Sequence, residues 1–370
     1  MLQKGLGRHL LRHAGRAQRF IDLFCGSSAV AWYVAEHSKT EVVANDLQRF
    51  STVLAGAVLL RKKTIGKPAR LWNSWVERAL DAVYGDPVHL AVEKFQLRNW
   101  KTDPAGEARR AREICGDARG YSLTRSYGGY YFSPKQALYL DAMRSTLPKE
   151  EPERSLALGA LIMASSECAA SPGHTAQPFK PTQSGSQYLF EAWNRDVLQK
   201  TRQALEFLGA KCAKRKGMAI QGNAIELARQ LTCNDVAFID PPYSGVHYSR
   251  FYHVLEMIAR GVSFNVEGEG RYPPATDRPK SDFSLRGRSE EAIDSLLGAL
   301  ASRGVRSILT FPKEESSNGL SGSKVKTIAD RYFRTRQEQI NGKFSTLGGN
   351  LIHRNARVPS YEIVLTMTPR

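Results

Sequence analysis

Val236-Ala237-Phe238-Ile239-Asp240-Pro241-Pro242-Tyr243 sets the architecture: a short apolar run ends in an acid, two prolines and an aromatic ring. An uninterrupted apolar run of this kind reads as a strand covered on both faces, which belongs to a parallel α/β sheet. The prolines end it, because each fixes φ and removes an N–H that a sheet ladder needs. Ligands of parallel sheets sit beyond the carboxyl ends of the strands. Asp240, Pro241, Pro242 and Tyr243 therefore stand where a ligand is held. The Asp240 carboxylate and the stiffened carbonyls of Asp240 and Pro241 can accept hydrogen bonds from an exocyclic amine, and the Tyr243 ring can stack on a flat heterocycle.

Far upstream, the stretch from Arg19, R-F-I-D-L-F-C-G-S-S-A-V-A-W-Y-V-A, reads as strand, turn and helix, and Glu41 to Asp46 as a second strand ending in an acid. In this arrangement Asp22, Phe24 and Gly26 lie at the end of the first strand. Asp46 ends the second, the position from which an acid accepts hydrogen bonds from ribose hydroxyls. The G-x-G-x-x-G pattern is absent, since Ser27, Ser28 and Ala29 follow Gly26, and this disfavours a dinucleotide oxidoreductase.

The α/β pattern then stops. Helices are predicted over Thr52–Lys62, Trp72–Val83, Val88–Trp100, Pro134–Ser145, Ser155–Cys168 and Tyr188–Leu208. Strands resume at Met218, followed by the Val236 run, a helix over Glu290–Ser302, a strand at Ser307–Phe311 and two late strands at Tyr332–Ile340 and Tyr361–Met367. The economical reading is a parallel sheet from residues 1–55 and 215–370, interrupted after its second strand by a mainly helical insertion over 56–214.

The chain of 370 residues carries 53 Lys+Arg against 36 Asp+Glu, a net charge of +17, which points to a polyanionic partner. The basic residues concentrate in the N-terminus, Arg61–Arg70, Lys200–Lys216 and Arg271–Arg288. The polar segment Thr276–Arg288 is expected to move and to close over a nucleic acid. Five scattered cysteines with no C-x-x-C pair signal neither a disulfide framework nor zinc, and no metal is assigned. His247 and His253 follow the proline motif and are read as structural. With no apolar run long enough to span a bilayer and no secretory leader, the expectation is a cytoplasmic protein without a membrane partner.

These motifs resemble those of the S-adenosylmethionine-dependent adenine-N6 DNA methyltransferases in which the donor motif precedes D-P-P-Y. D-L-F-C-G (Asp22 to Gly26) is similar to the family's donor-binding F-x-G motif, with Ser28 in place of its usual second glycine. Asp46 matches the ribose-binding acid. Asn223, in G-N-A, stands where the family often has an aspartate beside the donor's adenine. L-Q-K-G-L-G-R-H-L-L loosely matches an N-terminal motif and leaves open which of Lys4, Gly5, Gly7 or Arg8 carries it.

The resemblance implies a Rossmann-like methyltransferase sheet, mostly parallel with a late antiparallel strand, and an insertion that reads DNA. It implies S-adenosyl-L-methionine as cofactor and double-stranded DNA as partner, with a cognate restriction endonuclease possible. The target adenine is then flipped from the duplex, Tyr243 stacks on it, and Asp240 with the Pro241 carbonyl orients its amine. Asp240 as first letter favours adenine in DNA. Methylation of structured RNA by the same fold, and a catalytically silent nucleic-acid-binding subunit, are the alternatives.

Overall fold

The structure is a computed structural model and describes residues 5–345 and 357–370, so Lys4 of the N-terminal motif lies outside the described residues. Seven strands, β1 (Arg19–Asp22), β2 (Glu41–Asp46), β3 (Met218–Gln221), β4 (Asp235–Ile239), β5 (Arg306–Pro312), β6 (Phe333–Ser345) and β7 (Arg357–Pro369), form one sheet in the order β3-β2-β1-β4-β5-β7-β6. The first five are parallel. β7 runs antiparallel to both its neighbours, so the sheet is the expected mostly parallel one with a single late strand reversed.

The chain lays β2 and β3 on one side of β1, then returns to place β4 and β5 on the other. This reversal of direction opens a crevice at the carboxyl ends of β1 and β4. Side chains alternate between two core layers. Ile21, Val43, Ala237, Ile239 and Leu309 pack with Leu296, Leu297, Val325 and Ile328 of the helices Ser289–Ser302 and Gly322–Tyr332. Phe20, Val42, Ala44, Val236 and Phe238 pack with Leu10, Val34, Ala55 and Leu59 of the helices Leu6–Ala14, Ala29–His37 and Arg49–Leu59.

At the other end of β1 and β4, Arg19 grips Asp235 with two bonds, Nε to Oδ1 at 2.8 Å and Nη2 to Oδ2 at 2.7 Å. The Asp235 carboxylate is inaccessible to solvent, whereas a third of the arginine side chain is exposed. Arg19→Ala is expected to destabilise the fold by about 2 kcal/mol, below the usual cost of breaking a buried pair because water reaches this one. A urea titration checks it, and an unchanged midpoint would remove the pair from the account of stability.

The chain separates into two compact units, one comprising residues 1–64, 211–248 and 279–370, the other Ile65–Ala210 and Ser249–Arg278. The sheet unit keeps the whole helix Arg49–Leu59, because every residue from Phe50 to Leu59 is buried. The sequence boundary at 56 falls inside that helix. Ser249–Arg278, read from sequence with the sheet, belongs to the helical unit instead. There the buried His253 ring lies 5.7 Å from Tyr127 and 5.8 Å from Tyr131.

Within the helical unit the helix Pro134–Ser145 opens on a capping box, Ser133 with Gln136, as its sequence requires. The expected helix over Tyr188–Leu208 is two, Ser186–Trp193 and Val197–Gly209, because Asp196 caps a new start by accepting from the N–H groups of Leu198 and Gln199 at 2.9 and 3.0 Å. The helix expected over Val88–Trp100 is Pro87–Lys94, and a further helix, Pro104–Gly116, starts at the Asp103 cap. Among the described residues no helix is long and apolar enough to cross a membrane.

Candidate active site

At the crevice the carboxyl ends of β1, β2 and β4 deliver Asp22, Asp46 and Asp240 to the same edge of the sheet, with Asp22 in register with Phe238, two residues before Asp240. Burial is the main force on the Asp22 carboxyl, and the nearby Asp240 adds to it. Together they push it up to about 8, against the backbone N–H groups of Phe24 and Ala31. Asp240 is open to solvent but crowded by protein, which raises its carboxyl to about 6; the Thr310 hydroxyl, donating at 2.9 Å to Oδ1, opposes that rise. Both shifts point the same way, and the larger one on Asp22 puts its ionisation after that of Asp240 as the pH rises.

Asp46 shapes the turn after β1. Its Oδ2 accepts from the Gly26 N–H at 2.9 Å and its Oδ1 from the Gln48 N–H at 2.9 Å. Gly26 has φ +47°, and a Cβ there would meet nothing within 4 Å, so the turn presents bare backbone to open space. Ser28, where a glycine was expected, has φ 64° and is fully buried, its Oγ donating to the Ser51 carbonyl at 3.2 Å. The left-handed backbone explains the preference for glycine, and the local hydrogen bond offsets part of the cost to serine.

Beside this turn lies a small open cleft. Phe24, Leu47, Ile225 and Phe283 give it apolar walls; Phe24 meets Phe283 edge to face at 5.0 Å. Asn223 lines it, and its Oδ1 also caps the following helix, accepting from the Ile225 N–H at 2.8 Å. Among the described residues two lining atoms, Asn45 Oδ1 and Ser281 Oγ, are enclosed without a hydrogen-bond partner, which is the condition of groups awaiting a polar ligand.

Asn45, Ser281 and Phe283 carried no sequence signal of their own. Asn45 ties the sheet edge together, its Nδ2 donating to the carbonyls of Leu23 at 3.0 Å and Gly222 at 3.2 Å. Ser281 and Phe283 lie in the segment expected to move. Here Phe283 is buried and its carbonyl accepts from Asn318 Nδ2 at 3.0 Å, so this part of the segment is a wall of the cleft.

The same Asn318 amide donates to the Pro242 carbonyl at 3.2 Å. Asn318 is fully buried and braces D-P-P-Y from behind, while Tyr243 packs half-buried with its ring edge to face at 6.4 Å from Phe311. His247 accepts at Nδ1 from the Ser281 N–H at 3.2 Å, a structural contact.

Residues 4–79, which hold the turn after β1 and Asp46, match the D12 class N6 adenine-specific DNA methyltransferase family. The chain is 27% identical over 261 residues to modification methylase LlaI of Lactococcus lactis subsp. lactis, covering 67% of this chain and 35% of that protein. It is 23% identical over 310 residues to modification methylase StsI of Streptococcus sanguinis, covering 81% of this chain and 40% of that one. The chain thus spans well under half the length of either relative. The resemblance read from the motifs is borne out: the amino-terminal segment matches the model of the D12 class of N6 adenine-specific DNA methyltransferases, and over two thirds of its length the chain is similar to a modification methylase.

Proposed function

We propose that this protein transfers a methyl group from S-adenosyl-L-methionine to the exocyclic amine of a flipped adenine in a specific duplex DNA sequence. The observation that carries the reading is the meeting of two motifs at one crevice. The donor turn at the end of β1 and D-P-P-Y at the end of β4 lie side by side where the strand order reverses.

The cleft fits the donor. Its walls suit a planar ring, Asn45 and Ser281 offer unsatisfied polar atoms, and Asp46 stands at the end of β2 with both oxygens already oriented by backbone N–H groups. Phe24, Gly26, Asp46 and Asn223 would hold the donor, with Asp22 below them. When bound, S-adenosylmethionine supplies an electrophilic methyl group.

The chain's own residues do the rest. Asp240 and the Pro241 carbonyl accept from the adenine amine and direct its lone pair. The negative charge on Asp240 offsets the positive charge that develops on the nitrogen as its bond to the methyl carbon forms and the methyl–sulfur bond breaks; the thioether S-adenosylhomocysteine leaves, and the surplus amine proton is lost to solvent. Tyr243 stacks on the flipped base, and Asn318 keeps the motif from shifting. The helical unit, Ile65–Ala210 with Ser249–Arg278, is assigned the reading of the target sequence.

Incubation with methyl-labelled donor and a mixed-sequence plasmid, followed by digestion to nucleosides, tests the reading. Label is expected in N6-methyladenine. Its absence from DNA alongside incorporation into transcripts of matched sequence would transfer the assignment to RNA. Tight binding of S-adenosylhomocysteine distinguishes both from a silent subunit, which has no need of the donor.

A further inference from the structure

Two tyrosine rings of the helical unit each carry two guanidinium groups. Over Tyr130 the guanidinium carbons of Arg112 and Arg271 lie 4.1 and 4.5 Å from the ring centroid. Over Tyr272 those of Arg250 and Arg278 lie 4.6 and 5.7 Å away. The two groups adjoin along the chain, where Arg271 and Tyr272 are consecutive, and Tyr131, next to Tyr130, ties the segments together by donating its hydroxyl at 2.9 Å to the Gly270 carbonyl.

Two pairs of cations are thus held, each pair on one ring. Among the described residues none of these arginines pairs with a carboxylate, and the neighbouring Glu269 is engaged by Lys180 at 2.9 Å. Desolvation is the main force against the protonated forms of Arg112 and Arg278; at Arg112 Tyr130 opposes it and Arg271 adds to it, and at Arg278 Arg250 adds to it while Tyr272 opposes. Arg271 also sits at φ 53°, a left-handed conformation that crowds the Cβ of any residue but glycine.

Stacking accounts for the fixed orientation of the guanidinium planes but leaves most of their donors over. Arg112 spends Nε on the Gly129 carbonyl at 3.0 Å, and Arg271 spends Nε on the Ser126 carbonyl at 2.9 Å and one Nη2 hydrogen on the Arg125 carbonyl at 3.4 Å. The side chains of Arg250 and Arg278 donate no hydrogen bond to the protein among the described residues, and Arg278 Nε is enclosed without an acceptor. Planar forks held apart from carboxylates match the oxygens of a phosphodiester, and aromatic stacking lowers the entropy lost on binding one.

We propose that Arg112, Arg250, Arg271 and Arg278, ordered on Tyr130 and Tyr272, form a clamp for the phosphate backbone of the DNA substrate. The clamp rests on the DNA reading above and deepens it. It positions the duplex without reading its sequence, because phosphates are the same at every step.

The test is binding of the full chain to a fluorescent duplex over a series of KCl concentrations. The double variant R250Q/R278Q is expected to lower the slope of log K against log[salt] by up to about 1.8, about 0.9 for each phosphate no longer neutralised. Its thermal midpoint and its affinity for S-adenosylhomocysteine are expected to match wild type. Arg112→Lys keeps the charge but not the fork, so it is expected to weaken binding several-fold with the slope preserved. A wild type that binds and methylates duplex DNA, with the double variant retaining its slope, would overturn the clamp alone. A wild type that binds no duplex would overturn the clamp together with the reading beneath it.

Discussion

Asp240→Ala is expected to lower kcat for adenine methylation by about 10²–10³, the usual cost of removing one preorganised electrostatic partner of a transition state. Affinity for S-adenosylhomocysteine is expected to stay within a few-fold of wild type. The separation follows from geometry. Asp240 follows β4 and accepts from the Thr310 hydroxyl, whereas the cleft proposed for the donor is lined from the ends of β1 and β2 and the segments around Asn223 and Phe283. Asp240→Asn is expected to fall between the two proteins, because the amide oxygen still accepts but carries no charge. Single-turnover methylation with labelled donor measures the effect, and undiminished turnover by the alanine variant would dismiss Asp240 from the chemistry.

Stability is expected to move the other way. The folded-state value of the Asp240 carboxyl is raised to about 6, so folding favours its protonated form, and its contribution to stability falls as pH climbs from the unfolded value through 6. Removing it relieves the fold above that pH. It also removes a negative charge that helps keep Asp22 protonated. In the wild type, kcat/KM is expected to rise with pH through about 6 as Asp240 ionises, then to level off. Thr310→Val, which deletes the hydroxyl that favours the carboxylate, should carry this limb to higher pH.

What was legible in the sequence is what short-range patterning encodes. The apolar runs of β1, β2 and β4 are buried strands whose neighbours follow from parallel crossovers, and D-P-P-Y and D-L-F-C-G could be set at strand ends because prolines and small residues stop ladders. The break at Asp196 was also written in the chain, as a capping residue, but a long helical pattern hid it.

Asn318 and Phe283 were not legible, because their roles arise only when the segments after β4 and β5 fold back on the sheet edge and a single amide joins the carbonyls of Pro242 and Phe283. Asn45 reads as one more polar residue in a strand. Only its burial shows an amide that ties two strand ends and leaves its oxygen to the cleft. The membership of Ser249–Arg278 was equally hidden, since nothing local distinguishes a loop that covers the sheet from one whose His253 inserts among the tyrosines of the helical unit.

Gly26→Ala offers the sharpest separation of binding from folding. The methyl group meets no protein atom within 4 Å, so it costs the fold only the strain of φ +47°, about 1 kcal/mol, and the Gly26 N–H keeps its bond to Asp46. The open space it enters is, in the proposed function, the donor's approach to bare backbone, and overfilling a close-fitted site costs about 1–3 kcal/mol. Calorimetric titration is therefore expected to show S-adenosylhomocysteine binding weakened by about 10²-fold, with duplex affinity unchanged. The contrast with Asp46→Ala isolates the cause, because that change leaves the Gly26 and Gln48 N–H groups without acceptors and disturbs the turn itself. If Gly26→Ala bound the donor product as tightly as wild type, the turn after β1 would be a structural bend and the donor would have to be sought at another edge of the sheet.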